Sequence, residues 1–240
     1  MNTPDAVATI GTVERVPTAL ITGASRGLGE QIARQLAPTH SLILGGRPSD
    51  ALDALATELG AATFAVELTD HDAVASAAAA IPSLDVLVHS AGVGSTLLPV
   101  AETTADEWRH VLEVNLVAAA EVTRTLLPAL RAARGHVVFI NSGAGMRANP
   151  GWGAYAASKF GLRALADALR GEETSLRVTS VFPGRIDTDM QRDLVAIEGD
   201  QYDASKFLTP STVAGAVVTA IHTPADAHPT EIVLRPTGRA

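Results

Sequence analysis

Apolar positions along this chain take two alternating forms. Short unbroken runs, rich in Val, Ile and Leu, alternate with longer stretches in which apolar residues recur every three or four places. The short runs fall at residues 20–22, 41–44, 63–66, 84–88, 137–140, 177–181 and 231–234, and their brevity predicts strands buried on both faces. The periodic stretches predict helices. One follows Gly29, marked by Ile32, Ala33 and Leu36; others cover 48–59, about 70–80, 104–127, 153–170 and about 210–221. Pro48 suits a first-turn position in the second of these. Residues 188–208 form the one long, weakly patterned stretch.

Continuous strands separated by helices require a parallel sheet with helices on both faces, and right-handed crossovers wind it twice. The expected fold is therefore α/β: a single doubly wound Rossmann-type domain with a parallel sheet of about seven strands. It is expected over residues 17–240, after a loose leader at 1–16. In such sheets ligands sit beyond the carboxyl ends of the strands, so the residues just after each strand are the informative ones. The first such turn, from Leu20 to Gly29, ends a strand in glycines and opens a helix directly. Gly23 and Gly27 permit backbone angles or close contacts that a side chain forbids. Gly29 allows close packing of the helix on its strand. The helix start, with its free N–H groups and positive dipole end, suits a pyrophosphate.

Among the 240 residues 47% are hydrophobic, enough for a substantial core, but no run approaches the ~20 apolar residues of a membrane span. A net charge of −8 with scattered basic residues argues against a nucleic-acid partner. With no cysteine there are no disulfides, thiolate nucleophiles or Cys-bound metals, which is compatible with the cytoplasm. His110 and Glu113 lie one helical turn apart, but a solvated face explains them, and no metal site is expected.

Tyr155 and Lys159 share a helix face at i, i+4. A free Tyr titrates near ~10 and a free Lys near ~10.4, so neither is poised at neutral pH. An ammonium held close to a phenol lowers the pKa of the phenol, which would make Tyr155 a general acid/base. Ser142 ends the fifth strand, where its hydroxyl can bond a substrate oxygen. Asn115 interrupts an apolar helical stretch and is either a satisfied kink or capping residue or one kept for a purpose.

These motifs, in this order, closely resemble the short-chain dehydrogenase/reductase family, in its short-subunit branch, from about Thr18 to Leu234. The glycine motif TGxxxGxG is matched by Thr22, Gly23, Gly27 and Gly29. The family's catalytic Asn, Ser, Tyr and Lys fall on Asn115, Ser142, Tyr155 and Lys159. The resemblance implies that Tyr155 passes a proton to or from the substrate oxygen while Ser142 orients it. Lys159 tunes Tyr155 and bonds the nicotinamide ribose, and Asn115 holds a water in a proton relay. It also implies a dinucleotide lined by Gly23, Ser25, Arg26, Gly27, Leu28 and Gly29, by Glu67 and Leu68, and by Ser90, Ala91 and Gly92. Pro183, Gly184, Ile186 and Thr188 hold the nicotinamide end. Two positions depart from the family pattern. His89-Ser90 stands where Asn-Asn is usual, and Glu67 where an aspartate commonly meets the adenine.

NADP(H) is expected rather than NAD(H). The second strand ends Gly45-Gly46-Arg47, with glycine where NAD enzymes place an acidic residue. Arg47 and Arg26 can bind the ribose phosphate there, helped by a helix start at Pro48. The implied activity is an NADPH-dependent reduction of a ketone or aldehyde to an alcohol, or the reverse. The alternative is a non-catalytic NADP-binding regulatory or scaffold protein. Val93, Leu97, Met146, Trp152, Met190 and Leu194 suggest a moderately apolar pocket for a small molecule under a movable lid at 188–208. Arg147, Arg185 and Arg192 lie in the same loops. Ala118, Ala119, Ala120, Phe160, Leu162, Ala164 and Leu165 suggest a self-complementary surface on the two long helices, hence a homodimer or homotetramer.

Overall fold

Seven short strands, β1 (Thr18–Thr22), β2 (Ser41–Gly46), β3 (Ala62–Ala65), β4 (Val86–His89), β5 (His136–Ile140), β6 (Arg177–Pro183) and β7 (Glu231–Leu234), form one parallel sheet. Their order is β3-β2-β1-β4-β5-β6-β7. The computed structural model of the chain describes residues 15–238, so most of the expected leader lies outside the described residues. Of its last two residues, Arg15 is held by Asp85 through two hydrogen bonds of 2.8 and 2.6 Å.

Successive strand residues point to opposite faces, and two cores follow from that alternation. Ala19 and Ile21, Leu42 and Leu44, Val86 and Val88 pack on α1 (Gly27–Leu36), α2 (Asp50–Leu59) and α8 (Pro210–Ile221). Leu20, Leu87, Val137, Phe139 and Val178 face α3 (His71–Ala78), α5 (Ala118–Ala133) and α6 (Gly153–Glu172). Burying each such side chain stabilises the fold by ~1.5–3 kcal/mol. Both α8 and β7 have their expected bounds.

Three expectations need correction. The second helix starts at Asp50, not Pro48. Ser49 is extended (φ −166°) and its side chain accepts the Leu52 N–H, so serine capping outcompetes a first-turn proline. The helix expected over 104–127 is three consecutive pieces: α4 (Ala105–Leu112), a π turn at Glu113–Val117 and α5. It runs through Pro128 because Leu126, Ala129 and Leu130 are buried on the sheet, which offsets the hydrogen bond that proline cannot donate. Residues 188–208 are also more ordered than their pattern suggested. Thr188 caps α7 (Asp189–Glu198), a 3-10 turn follows at Ala204–Lys206, and Leu208 bridges back to Ile186.

Candidate active site

The parallel register brings the carboxyl ends of all the strands to one edge. Thr22 stands opposite both Gly45 and His89, at the point where strand order reverses between β1 and β4. Its hydroxyl accepts the backbone N–H groups of Ser90 and Ala91, both at 3.2 Å, and donates to Val88 O at 3.4 Å. That uses its whole hydrogen-bonding capacity. Gly23, at φ +66°, lies so close to β4 that a Cβ would meet Ala91 Cα at 2.8 Å. At Gly29 a Cβ would stand 2.2 Å from Gly23 O, so α1 can seat on the turn only through glycine. Arg26 precedes α1 in extended conformation and its side chain does not cap the helix. Ser25 lies in the turn just before α1, and the first-turn N–H groups of Gly27, Leu28 and Gly29 have no acceptor within the helix.

Arg47 lies exposed just beyond β2 and pairs with no described residue. Arg26 turns instead toward Asp189 on α7, at 3.6 Å, an exposed and weak pair. Of the two arginines of the expected clamp only Arg47 is unpaired among the described residues, and the helix start behind it begins two residues later than expected. Beyond β3, Glu67 is exposed and accepts from Thr69 N at 3.4 Å, with Leu68 partly buried beside it.

Farther along the edge, β5 delivers Asn141 and Ser142 and α6 delivers Tyr155 and Lys159. Lys159 is buried and its Nζ donates to Ile140 O at 3.1 Å, lying 5.7 Å from the centre of the Tyr155 ring. Burial lowers its pKa to about 8. The pKa of Tyr155 is raised by burial, which a hydrogen bond with Ser142 offsets only in part. The sequence expectation had Lys159 lowering that pKa. Here the lowering comes from Ser142, because the ammonium is directed to a carbonyl.

Asn115 sits buried in the π turn, whose Glu113 O accepts from Ala118 N five residues on. Its Oδ1 accepts from Val93 N at 2.8 Å, and its Nδ2 donates to Val93 O at 3.0 Å and Ser158 Oγ at 3.1 Å. The side chain is thus a tie between the π turn, the loop after β4 and α6. His89, one of the two departures, bonds Thr123 at 2.9 Å and stacks on Phe139 at 4.8 Å, so β4 keeps its contacts to α5 and β5.

A cavity of about 510 Å³ opens beside Ser142 and Tyr155, bounded by Pro183, Gly184, Ile186 and Thr188. Trp152, Met190 and Leu194 line it as expected, whereas Val93, Leu97 and Met146 do not. Arg147, Asn149, Arg185, Gln191, Glu198 and Arg235 give it polar lining as well. The pocket is therefore mixed rather than apolar, and α7 supplies both kinds of residue. Arg192 is turned to Asp187 at 3.0 Å.

Sequence reasoning missed Gln191, Arg235 and the part played by Asn141. Asn141 donates to Lys159 O at 3.1 Å and accepts from Ser142 N at 2.8 Å, so it positions both catalytic candidates. An amide ending a fully apolar strand was the available signal for it. Arg235 reaches the site only because β7 lies beside β6, which no local pattern reveals. Among the described residues no group of three or more His, Asp or Glu could hold a metal ion. No described helix is long and apolar enough to cross a membrane.

Known proteins share this arrangement. The short chain dehydrogenase family model matches residues 17–199. An uncharacterized short-chain type dehydrogenase/reductase of Sinorhizobium fredii is 31% identical over 234 residues, 95% of this chain and 94% of that one. Serine 3-dehydrogenase of Agrobacterium fabrum is 34% identical over 77% of each chain. Among solved structures, an alcohol dehydrogenase from the archaeon Thermococcus sibiricus, complexed with 5-hydroxy-NADP, superposes with a TM-score of 0.84. It is 29% identical, over 93% of this chain and 98% of that one. With its glycine turn, its seven-stranded parallel sheet and relatives matched from end to end, the chain belongs to the short-chain dehydrogenase/reductase family.

Proposed function

We propose that this oxidoreductase is NADP(H)-dependent and interconverts a ketone or aldehyde with its alcohol, using Tyr155 as general acid/base. The observation that carries the reading is the meeting of Tyr155 and Ser142 at one cavity, with Lys159 Nζ 5.7 Å from the centre of the Tyr155 ring. Two relatives support it by name, a serine dehydrogenase and an alcohol dehydrogenase, the latter in complex with an NADP derivative.

The residues present fit a dinucleotide phosphate, since any Cβ at Gly23 or Gly29 would collide with the backbone of the turn and Arg47 is left unpaired beyond β2. The N-terminus of α1 would hold the pyrophosphate and Arg47 the ribose phosphate, at ~1.5–3 kcal/mol for a charge-assisted bond. Glu67 and Leu68 flank the adenine side. Ser90, Ala91 and Gly92, with Pro183, Gly184, Ile186 and Thr188, border the nicotinamide side, and Lys159 reaches the ribose there. The bound cofactor supplies the hydride. Ser142 holds the substrate oxygen, and Tyr155 Oη gives it a proton as negative charge develops there. Ser142 stabilises the tyrosinate left behind, and Lys159, charged below about pH 8, supports it only from 5.7 Å away. Asn115 fixes the π turn, and a water held there would return the proton to Tyr155. The side chains of Trp152, Met190 and Leu194 suit a substrate that is moderately apolar beside its reacting carbon.

A panel of ketones, aldehydes and alcohols followed by NADPH absorbance tests the reading. Turnover with NADPH above that with NADH is expected. Binding of NADPH with no turnover of any carbonyl or alcohol would favour a regulatory or scaffold role instead.

A further inference from the structure

The polar lining of the cavity is not used by the proton-transfer chemistry. Gln191, in the first turn of α7, is 4% exposed, and it is part of that lining. Arg185 Nε donates to Gln191 Oε1 at 3.1 Å. A guanidinium has no acceptor, so the amide can have only one orientation there, with its oxygen toward Arg185 and its NH₂ left to donate. That Nε2 is buried and has no hydrogen-bond partner among the described residues. Buried donors are seldom left unpaired, because desolvating one without a partner weakens the fold.

The charges around it select what kind of acceptor fits. Arg147, Arg185 and Arg235 line the same cavity, against the single carboxylate of Glu198. Glu198 is taken up by Arg185 at 2.5 Å. Arg235 donates to the neutral carbonyls of Phe182 and Leu234, at 2.7 and 2.8 Å. Arg147 pairs with no described residue. The polar lining therefore offers one oriented N–H donor and two guanidiniums that no carboxylate neutralises.

We propose that these residues form a substrate subsite for a carboxylate, so that the substrate is a short hydroxy acid and its product the matching oxo acid. The proposal rests on the oxidoreductase reading above. The carboxylate accepts from Gln191 Nε2 and pairs with Arg147, and the carbinol carbon lies toward Tyr155. In the oxidation, the carbinol C–H gives its hydride to NADP⁺ and the O–H gives its proton to the phenolate form of Tyr155. The carboxylate is unchanged.

The test compares lactate and β-hydroxybutyrate with their methyl esters, using NADP⁺ as oxidant. Wild-type protein should prefer one of the acids over its ester by ~10-fold or more in kcat/KM, because the ester leaves the buried donor and Arg147 poorly matched. Gln191→Leu should cut that ratio, mainly through KM. Arg147→Leu, at an exposed position where folding is not at stake, should do the same, while NADPH affinity holds in both variants. Esters used as well as acids, an unchanged ratio in Arg147→Leu, or weakened NADPH binding in either variant would overturn the subsite. Calorimetry on NADP⁺-loaded Tyr155→Phe protein separates the two claims. Acid binding there that Arg147→Leu abolishes upholds the subsite even if the wild type turns nothing over, whereas equal binding of acid and ester removes the subsite and leaves the redox reading standing.

Discussion

Lys159 shows how a residue's surroundings set its chemistry. Its charge is buried, its pKa lies near 8 rather than 10.5, and among the described residues its Nζ has Ile140 O as its acceptor. If its ammonium supports the proton donated by Tyr155, reduction requires the charged form. Activity should then be steady below about pH 8 and fall as pH rises through it. The kcat/KM for NADPH, which reports the free enzyme, is the profile to measure. A descending limb near pH ~10 would instead point to a solvated lysine. At the other end of the edge, a Cβ on Gly46 would meet only Leu52, at an ordinary 3.7 Å. The double change Gly46→Asp, Arg47→Leu should therefore fold and shift the kcat/KM preference toward NADH, by ~10-fold or more from the lost phosphate bond. The Tyr–Lys spacing and the glycines were legible because those residues act within one element. The Ser142 bond to Tyr155 and the polar lining of Gln191 and Arg235 were not, because they join elements far apart in the chain.

At the level of elements, strands and helices were both legible, and most bounds of each moved by no more than a residue or two. A buried parallel strand announces itself by an unbroken apolar run, whereas a helix start depends on which neighbour caps it. Ser49, Asp70 and Thr104 each accept an N–H of the first turn, and each moves its helix a residue or two from the apolar pattern. The π turn was legible only as an odd asparagine in an apolar stretch. Its cause lies in the ties from Asn115 to Val93 and Ser158, on two other segments. The junction of β1 with α1 is the least forgiving. Gly29→Ala would drive a Cβ against Gly23 O, which is backbone and cannot swing aside. It should destabilise the protein by ~1–3 kcal/mol in urea titrations and weaken NADPH binding. Unchanged stability would mean that α1 can move off the turn.

Across the whole molecule, two buried histidines tie acid stability to the sheet. His89 Nε2 donates to Thr123 Oγ1, which itself donates to Ala119 O, and His136 Nε2 donates to Thr179 Oγ1, which donates to Pro229 O. Burial keeps both rings neutral by lowering both pKa values from 6.5 to about 3. The unfolded chain takes up these protons below pH 6.5 while the folded chain does not, so stability falls as pH falls. Each histidine removes ~1.4 kcal/mol per pH unit in that window. Urea midpoints at descending pH should show it, with a shallower decline in His136→Gln, which removes one of the two titrating groups.

Assembly is the least legible property of the molecule. Ala118 and Leu162 of the expected contact surface are buried within the subunit, whereas Val117 and Phe160 are 40% and 43% exposed and Ala164 is exposed. A homodimer or homotetramer is still expected from this face, and a 24.7 kDa particle in light scattering would contradict it.

The central claim is that the edge of this sheet performs proton-coupled hydride transfer through one phenol. Tyr155→Phe removes that proton donor and leaves every cofactor-binding residue in place. Turnover and NADPH affinity, measured together on this variant and the wild type, test the claim most directly. The account predicts a fall of ~100-fold or more in kcat with an unchanged NADPH dissociation constant. A Phe variant that retains most of its turnover would contradict it.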